Sequence, residues 1–186
     1  MSRFEIAPTA LAGLVTVRRQ RLGDARGSLT RLFCADELRA AGWPYPISQI
    51  NHTVTAQVST VRGLHYQNPP HAEAKLVSCL RGEVWDVAVD LRAGSPTFLR
   101  WHAEHLSAEN GVSLLIPHGF AHGFQALTDN VEMLYCHSHP HVPQAEGGVH
   151  PVDARLAIAW PLPVTGLSAR DAAHAPLAAG FAGLRP

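Results

Sequence analysis

The chain has 186 residues, with 15 Lys and Arg against 15 Asp and Glu, and 46% of its residues are hydrophobic. This length predicts a single domain over residues 1–186, since one core commonly serves up to about 200 residues. A formal net charge of zero offers no positive field for nucleic acid or an anionic membrane surface, so we expect neither as a partner. The sequence shows no signal peptide and no apolar run of about 20 residues, which predicts a cytoplasmic protein.

The cysteine and histidine content indicates which kinds of site to expect. The three cysteines, Cys34, Cys79 and Cys136, lie far apart and form no Cys-x-x-Cys pair, so neither a disulfide framework nor a thiolate zinc site is predicted. Twelve histidines are present. Because His titrates near neutral pH, we look for the chemistry of the protein among them first.

Short segments with alternating apolar residues, separated by Gly and Pro, predict a mostly β fold of the sandwich or barrel type. In chain order, the predicted strands cover residues 11–19, 29–33, 61–67, 74–80, 83–92, 97–106, 111–116 and 130–137. Two short helices are predicted, at residues 35–41 with Gly42 as C-cap and at residues 168–174. The segment from Ala172 onward is rich in Ala, Gly and Pro, and we expect it to fray.

The segment 83–92 has the clearest strand pattern. Trp85, Val87 and Val89 form an apolar face, and Asp86 and Asp90 lie opposite. This alternation is typical of a strand that buries one face and exposes the other.

Three side chains are candidates for function, although spacing alone leaves a structural role open for each. His65 shares a strand face with apolar and polar neighbours. Tyr135 lies in line with His137 and His139, and this partly polar line favours a pocket, whereas a strand tyrosine commonly packs in the core. Asp171 follows Ser168 at the spacing of a helix start, where a carboxylate can simply support the first turn.

Ordered motifs carry more information than these single residues. They are Arg62-Gly-Leu-His-Tyr-Gln67, Gly82-Glu-Val-Trp-Asp-Val-Ala-Val-Asp-Leu-Arg92, Ser95-Pro-Thr-Phe98 and Ile116-Pro-His-Gly-Phe-Ala-His-Gly-Phe124. With them the chain resembles the dTDP-4-dehydrorhamnose 3,5-epimerase family from about Gly23 to Asp171. The resemblance implies an all-β double-stranded β-helix, the cupin or jelly-roll barrel. It also implies a homodimer and a nucleotide-linked 4-keto sugar bound in the barrel mouth.

The resemblance also assigns roles. It makes His65 the general base, paired with Asp171, and Tyr135 the acid that delivers a proton from the opposite face of the sugar ring. It matches eight ligand-contacting positions: Arg26, Gln49, Asn51, Arg62, Lys75, His122, Glu146 and Arg170. Arg170 stands where many members have Lys, and Asp86 is expected to help shape the pocket. Neither a metal nor another cofactor is implied.

These residue types suit epimerisation beside a ketone. Loss of the C–H proton moves charge onto the carbonyl oxygen, so the site needs a base, a partner for that oxygen and a second acid. A protonated histidine side chain has a pKa of about 6.5, so the neutral imidazole is available near neutral pH. It can take the proton while Asp171 fixes its tautomer. Lys75 and Arg62 can stabilise the oxyanion, and arginines including Arg26 suit a diphosphate.

Two departures from the family pattern leave the nucleotide open between dTDP, GDP and CDP. Ser28-Leu-Thr-Arg31 lacks the acidic residue common in the family, and His139-Pro-His141 replaces adjacent aromatic residues after Tyr135. Inversion of one or of both ring carbons also stays open, although Tyr135 favours both.

Two other functions compete with this interpretation. The triplet His137-x-His139-x-His141 suggests a metal-dependent cupin oxygenase or isomerase, which needs three or four ligands on one metal. Pro140 and the lack of a second histidine beside His65 argue against it. A sugar-nucleotide binding protein without turnover is the other alternative, and the presence of base, acid and supporting carboxylate favours an enzyme.

Overall fold

The computed structural model describes residues 2–185 of the chain, which form mostly antiparallel strands with two short helices. The strands of this part are β1 (Phe4–Pro8), β2 (Val15–Arg19), β3 (Arg21–Asp24), β4 (Gly27–Thr30), β5 (Gln49–Thr55), β6 (Val61–Gln67), β7 (Lys75–Arg81), β8 (Glu83–Asp90), β9 (Trp101–Ser107), β10 (Val112–Ile116), β11 (Phe120–Ala126), β12 (Val131–His137) and β13 (Glu146–Gly148). The helices are α1 (Ala35–Arg39) and α2 (Ala169–Ala172), and a 3₁₀ turn covers Pro143–Ala145. Neither helix is long and apolar enough to cross a membrane.

Two sheets face each other and form the barrel. The six-stranded sheet has the order β1-β2-β10-β7-β12-β5, and the five-stranded sheet has the order β13-β6-β11-β8-β9. Strands β3 and β4 form a separate hairpin. Between the sheets, buried residues of both pack together, including Leu114 and Met133 from one and Val84 and Phe124 from the other. This jelly-roll arrangement confirms the predicted all-β fold.

The five-stranded sheet is covered on its outer face as well. Trp85, Val87 and Val89 of β8 pack there against the segment that follows β13, including Leu156. The other face of β8 points into the barrel, where Asp86 and Asp90 are fully buried. The prediction that this strand exposes its polar face is therefore wrong, because both carboxylates are paired inside the protein.

The C-terminal segment packs on this outer face, in contrast to the fraying expected from its composition. Leu184 is buried, its N–H donates to Leu91 O, and its carbonyl accepts from Ala93 N–H. Phe181 stacks on Phe98 with ring centroids 6.0 Å apart. Apolar side chains and backbone hydrogen bonds therefore bind this segment to the sheet together, although its composition predicts flexibility.

Several boundaries differ from prediction. The strand predicted at 97–106 begins only at Trp101, because Thr97 and its neighbours form turns in which Phe98 N–H donates to Ser95 O. The first predicted strand, 11–19, is shortened to β2, and that at 29–33 is replaced by β4. Both predicted helices are present but shorter, and Gly42 follows α1 with a φ of 106° rather than serving as its C-cap.

Candidate active site

A cavity of about 650 Å³ lies between the two sheets. Its size is within the usual range for a small-ligand pocket. The structure brings ten of the eleven sequence-predicted site residues to its lining: His65, Tyr135, Asp171, Gln49, Asn51, Arg62, Lys75, His122, Glu146 and Arg170.

The His65 imidazole and the Asp171 carboxylate form a close pair. His65 Nε2 lies 2.8 Å from Asp171 Oδ1, and the Gly63 N–H donates to Oδ2 at 3.2 Å. Asp171 is buried, and burial opposes its ionisation. The hydrogen bonds from His65 and Gly63 prevail and hold the pKa of this carboxyl well below its usual range. An ionised Asp171 accepts the Nε2 proton and leaves His65 Nδ1 with a free lone pair.

Local structure fixes both members of this pair. Ser168 caps α2, with its Oγ accepting from the Asp171 N–H at 3.0 Å, so Asp171 occupies the first turn as the sequence suggested. Its side chain turns away from the helix end to reach β6. Strands β6 and β11 approach closely there, and a Cβ added to Gly123 would lie 2.6 Å from Arg62 O. Glycine at this position therefore permits the spacing of the strand that carries His65.

Tyr135 faces the cavity from the other sheet. It belongs to β12, whereas His65 belongs to β6, so the two side chains project from facing walls. The Tyr135 ring packs between His122, at 6.1 Å and 70°, and His137, at 6.1 Å and 22°. Burial raises the pKa of the phenol above its usual value, which keeps Tyr135 protonated at neutral pH.

Asp86 acts on the cavity through His122. Its carboxylate oxygens lie 2.9 and 3.0 Å from His122 Nε2, and both side chains are buried. Asp86 does not line the cavity itself. It orients a histidine that does.

Glu73 is a cavity residue that the sequence analysis missed. Its carboxylate contacts Lys75 Nζ at 3.0 Å and His137 Nδ1 at 2.8 Å. Burial opposes ionisation, but these two partners lower the pKa of Glu73 to about 2. The local sequence Ala-Glu-Ala-Lys gives no sign of this, because it resembles an ordinary solvated charge pair.

Arg26 is the one predicted site residue that does not line the cavity. It lies on the β3–β4 hairpin, its side chain is 90% exposed, and it pairs with Asp24 at 2.6 Å. Arg170, in contrast, is at the cavity, where its Nη1 donates to Glu146 Oε1 at 2.8 Å and its Nε donates to Asp171 Oδ1 at 3.3 Å.

The histidine triplet does not converge on one point. His137 contacts Glu73, His139 lies 3.5 Å from His71, and His141 lies 3.5 Å from Glu146. Within residues 2–185, a three-residue donor group does occur at His65, Asp171 and His174, with ligand atoms within 4.8 Å of one another. The Arg170 guanidinium beside His65 places a fixed positive charge there, so this group fits a metal cation poorly.

Comparison with known proteins points to one family. The family model for dTDP-4-dehydrorhamnose 3,5-epimerase matches residues 8–179. A dTDP-4-dehydrorhamnose 3,5-epimerase of Sinorhizobium fredii is 39% identical over 152 residues, covering 82% of this chain and 78% of that protein. A dTDP-4-dehydrorhamnose 3-epimerase of Streptomyces niveus is 37% identical over 169 residues, covering 90% and 81%.

A solved structure is similar over most of its length. The dTDP-6-deoxy-D-glucose-3,5-epimerase of Legionella pneumophila, in complex with dTDP-4-keto-L-rhamnose, is 39% identical with a TM-score of 0.87. The match covers 92% of this chain and 91% of that one. The fold and the site thus define an isomerase of the cupin type. The chain belongs to the dTDP-4-dehydrorhamnose 3,5-epimerase family.

Proposed function

We propose that the protein epimerises a nucleotide-linked 4-keto-6-deoxyhexose at C3 and C5 by proton removal and return, without a metal or other cofactor. One observation carries this proposal. His65 on one sheet, paired with the carboxylate of Asp171 from α2, and a protonated Tyr135 on the other sheet face the same cavity. Inversion needs a base on one face of the sugar ring and an acid on the other.

The first half of the reaction uses His65. Its free Nδ1 lone pair takes the proton from the ring carbon, and the electrons of the C–H bond move onto the C4 oxygen as an enolate. Asp171 stabilises the resulting imidazolium through the Nε2 hydrogen bond. The Lys75 ammonium, held by Glu73, is the cation we assign to the enolate oxygen.

The second half uses Tyr135. The phenol donates its proton to the enolate carbon from the face opposite His65, the carbonyl at C4 is restored, and the ring carbon is inverted. The phenolate formed is then reprotonated from solvent, and His65 releases the proton it took. The raised pKa of Tyr135 makes the proton available only to a strongly basic acceptor such as an enolate carbon.

We assign dTDP as the nucleotide. Support comes from the Legionella relative, which was solved with dTDP-4-keto-L-rhamnose, and from the cations near the cavity, Arg62 and Arg170. The Streptomyces niveus relative is named a 3-epimerase, so inversion at C3 alone is the second candidate. We further propose a cytoplasmic location, where the free thiols of Cys34, Cys79 and Cys136 stay reduced.

Hydrogen exchange tests the proposal directly. In heavy water the wild-type protein should introduce deuterium at C3 and C5 of a dTDP-linked 4-keto-6-deoxyglucose. NMR measures this uptake at each carbon. His65→Ala should abolish uptake at both carbons. Unchanged uptake in the His65 variant would exclude this mechanism, and uptake at C3 alone would select the single-centre candidate.

We also propose that the protein is a homodimer in which Arg26 serves the cavity of the partner. Arg26 lies outside the cavity of its own chain, on a hairpin whose Leu29 is 70% exposed. The edge strand β5 likewise exposes Ile50 and Val54. Exposed apolar residues on a hairpin and on a sheet edge are typical of an interface between copies.

Mixed dimers test this arrangement. Arg26→Ala and His65→Ala chains, each of low activity alone, are co-expressed and purified as heterodimers. If Arg26 acts across the interface, one site per heterodimer has both residues and activity returns. If Arg26 acts within its own chain, no site has both, and activity stays low.

A further inference from the structure

Polar groups on the cavity wall of the six-stranded sheet join in one chain of hydrogen bonds, which we call the wall network. It runs through the backbone N–H of His141 and the side chains of Gln49, Asn51, His137, Glu73 and Lys75. Successive donor–acceptor distances are 2.9, 3.0, 3.4, 2.8 and 3.0 Å.

The wall network has a single direction because one end is a backbone amide. The His141 N–H can only donate, so Gln49 Oε1 accepts and Gln49 Nε2 donates to Asn51 Oδ1. Asn51 Nδ2 then donates to His137 Nε2, which must carry a lone pair. His137 therefore has its proton on Nδ1 and donates it to Glu73.

Glu73 lets the wall network end without conflict. A carboxylate only accepts, so it receives one hydrogen bond from His137 and another from the Lys75 ammonium. The three side chains are 9 to 11% exposed. Water therefore cannot readily replace a lost hydrogen-bond partner, and a donor or acceptor left unpaired here costs free energy.

We propose that Glu73 and His137 are positioning residues that set which amide and ammonium groups face the ligand. Glu73 fixes the tautomer of His137, and this tautomer fixes the amides of Asn51 and Gln49. The same carboxylate holds the Lys75 ammonium. The role in ligand binding rests on the proposed function and on the family resemblance, which places Gln49, Asn51 and Lys75 against the nucleotide sugar.

The isosteric change Glu73→Gln breaks the network in a defined way. The oxygen of the introduced amide can accept from Lys75, but the amide nitrogen then donates to His137 Nδ1 and drives the proton of His137 to Nε2. Asn51 and Gln49 must turn over in response. Gln49 then presents an N–H to the His141 N–H, and two donors face each other.

Nitrogen NMR of the His137 imidazole tests the direction of the network. The wild-type protein should carry the proton on Nδ1, and Glu73→Gln should move it to Nε2. Glu73→Asp keeps the carboxylate and should keep the proton on Nδ1. A wild-type proton on Nε2, or an unchanged tautomer in Glu73→Gln, would overturn the proposal.

Calorimetry with dTDP-glucose, which carries the hexose that these groups are proposed to contact, tests the consequence for binding. Glu73→Gln should raise the dissociation constant about five- to one-hundredfold, as expected for a buried unpaired donor. In His137→Gln the introduced amide can still donate to Glu73 and accept from Asn51, so the loss of binding affinity should be smaller. Glu132→Gln is the matched control, because this carboxylate also pairs with a histidine, His52 at 3.1 Å, but does not line the cavity.

The outcomes separate this proposal from the proposed function. Equal dissociation constants for wild-type protein and Glu73→Gln would overturn the positioning role. If wild-type protein fails to bind dTDP-glucose, the proposed function loses its nucleotide sugar, and the tautomer measurement then decides on the network by itself. Circular dichroism of each variant shows whether its fold is retained.

Discussion

Asp171 Oδ1 lies 2.8 Å from His65 Nε2, although 106 residues separate the two in the chain. The carboxylate reaches the imidazole because Ser168 starts a short helix there and directs Asp171 toward β6. This contact links the end of the chain to the first half of the barrel. In the proposed mechanism, the activity therefore depends on correct docking of the segment that follows β13.

Asp171→Asn should reduce kcat by about 10²- to 10⁴-fold. The Gly63 N–H needs an acceptor, so the nitrogen of the introduced amide faces His65 and forces the imidazole proton onto Nδ1. The base then has no lone pair on Nδ1, the nitrogen that takes the substrate proton. Steady-state kinetics checks this, with dTDP affinity as the control for an intact pocket. A kcat within about threefold of wild type would contradict the role of Asp171.

Tyr135→Phe should keep deuterium uptake from heavy water and reduce the yield of inverted product by about 10²-fold or more. The His65 side of the ring is unchanged, so the proton is still removed and returned on that face. Only delivery from the facing sheet is lost. NMR of uptake and of product configuration from the same sample separates the two steps. If deuterium uptake and inverted product are lost in parallel, Tyr135 does not act as a separate acid.

Asp90→Asn should lower the free energy of unfolding at neutral pH by about 2 to 4 kcal/mol. The buried Asp90 carboxylate accepts from Arg92, Ser95 and Thr97, and these bonds lower its pKa to about 2, against the effect of burial. An aspartate in the unfolded chain has a pKa of about 3.9. The stabilisation by Asp90 is therefore complete above about pH 4 and is lost as the pH falls toward about 2.

Urea unfolding of wild-type and Asp90→Asn protein at several pH values measures this effect. The difference in free energy of unfolding between the wild-type and Asp90→Asn proteins should decrease by about 2 kcal/mol as the pH falls from about 4 to about 2. A gap that stays constant over this range would show that ionisation of Asp90 does not contribute.

Gly123→Ala should destabilise the protein by about 1 to 3 kcal/mol and reduce activity. The new Cβ would lie 2.6 Å from Arg62 O and 2.9 Å from Leu64 Cδ2, and the backbone contact cannot be relieved by a rotamer change. Strand β6 must shift, and it carries His65. Gly180→Ala is the control, because a Cβ there meets nothing within 4 Å. Equal stability of the two variants would contradict the close approach of β6 and β11.

Parts of the fold could be predicted from the sequence and parts could not. The alternation in residues 83–92 located β8, whose observed bounds are Glu83–Asp90. Alternation failed for β11, because all seven residues from Phe120 to Ala126 are buried and no polar face marks the strand. It failed for β5 for the opposite reason, since this polar edge strand is mostly exposed.

The site shows the same division. His65, Tyr135 and Asp171 were assigned through ordered motifs, and the structure brings all three to one cavity. Their roles stay predictions until the variants are measured. Glu73 had no local signal, because its partner His137 lies 64 residues further along and meets it only when β12 pairs with β7. Contacts made by strand pairing have no trace in short sequence windows.

The placement of His65 and Tyr135 on separate sheets has a consequence for how stereochemistry can change. The distance between them depends on how tightly the interior side chains, such as Met133 and Phe124, hold the two layers together. Under the proposed mechanism, a substitution that never meets the sugar can thus alter which ring carbon both His65 and Tyr135 reach. Differences in product between related chains can arise in the middle of the barrel, away from its mouth.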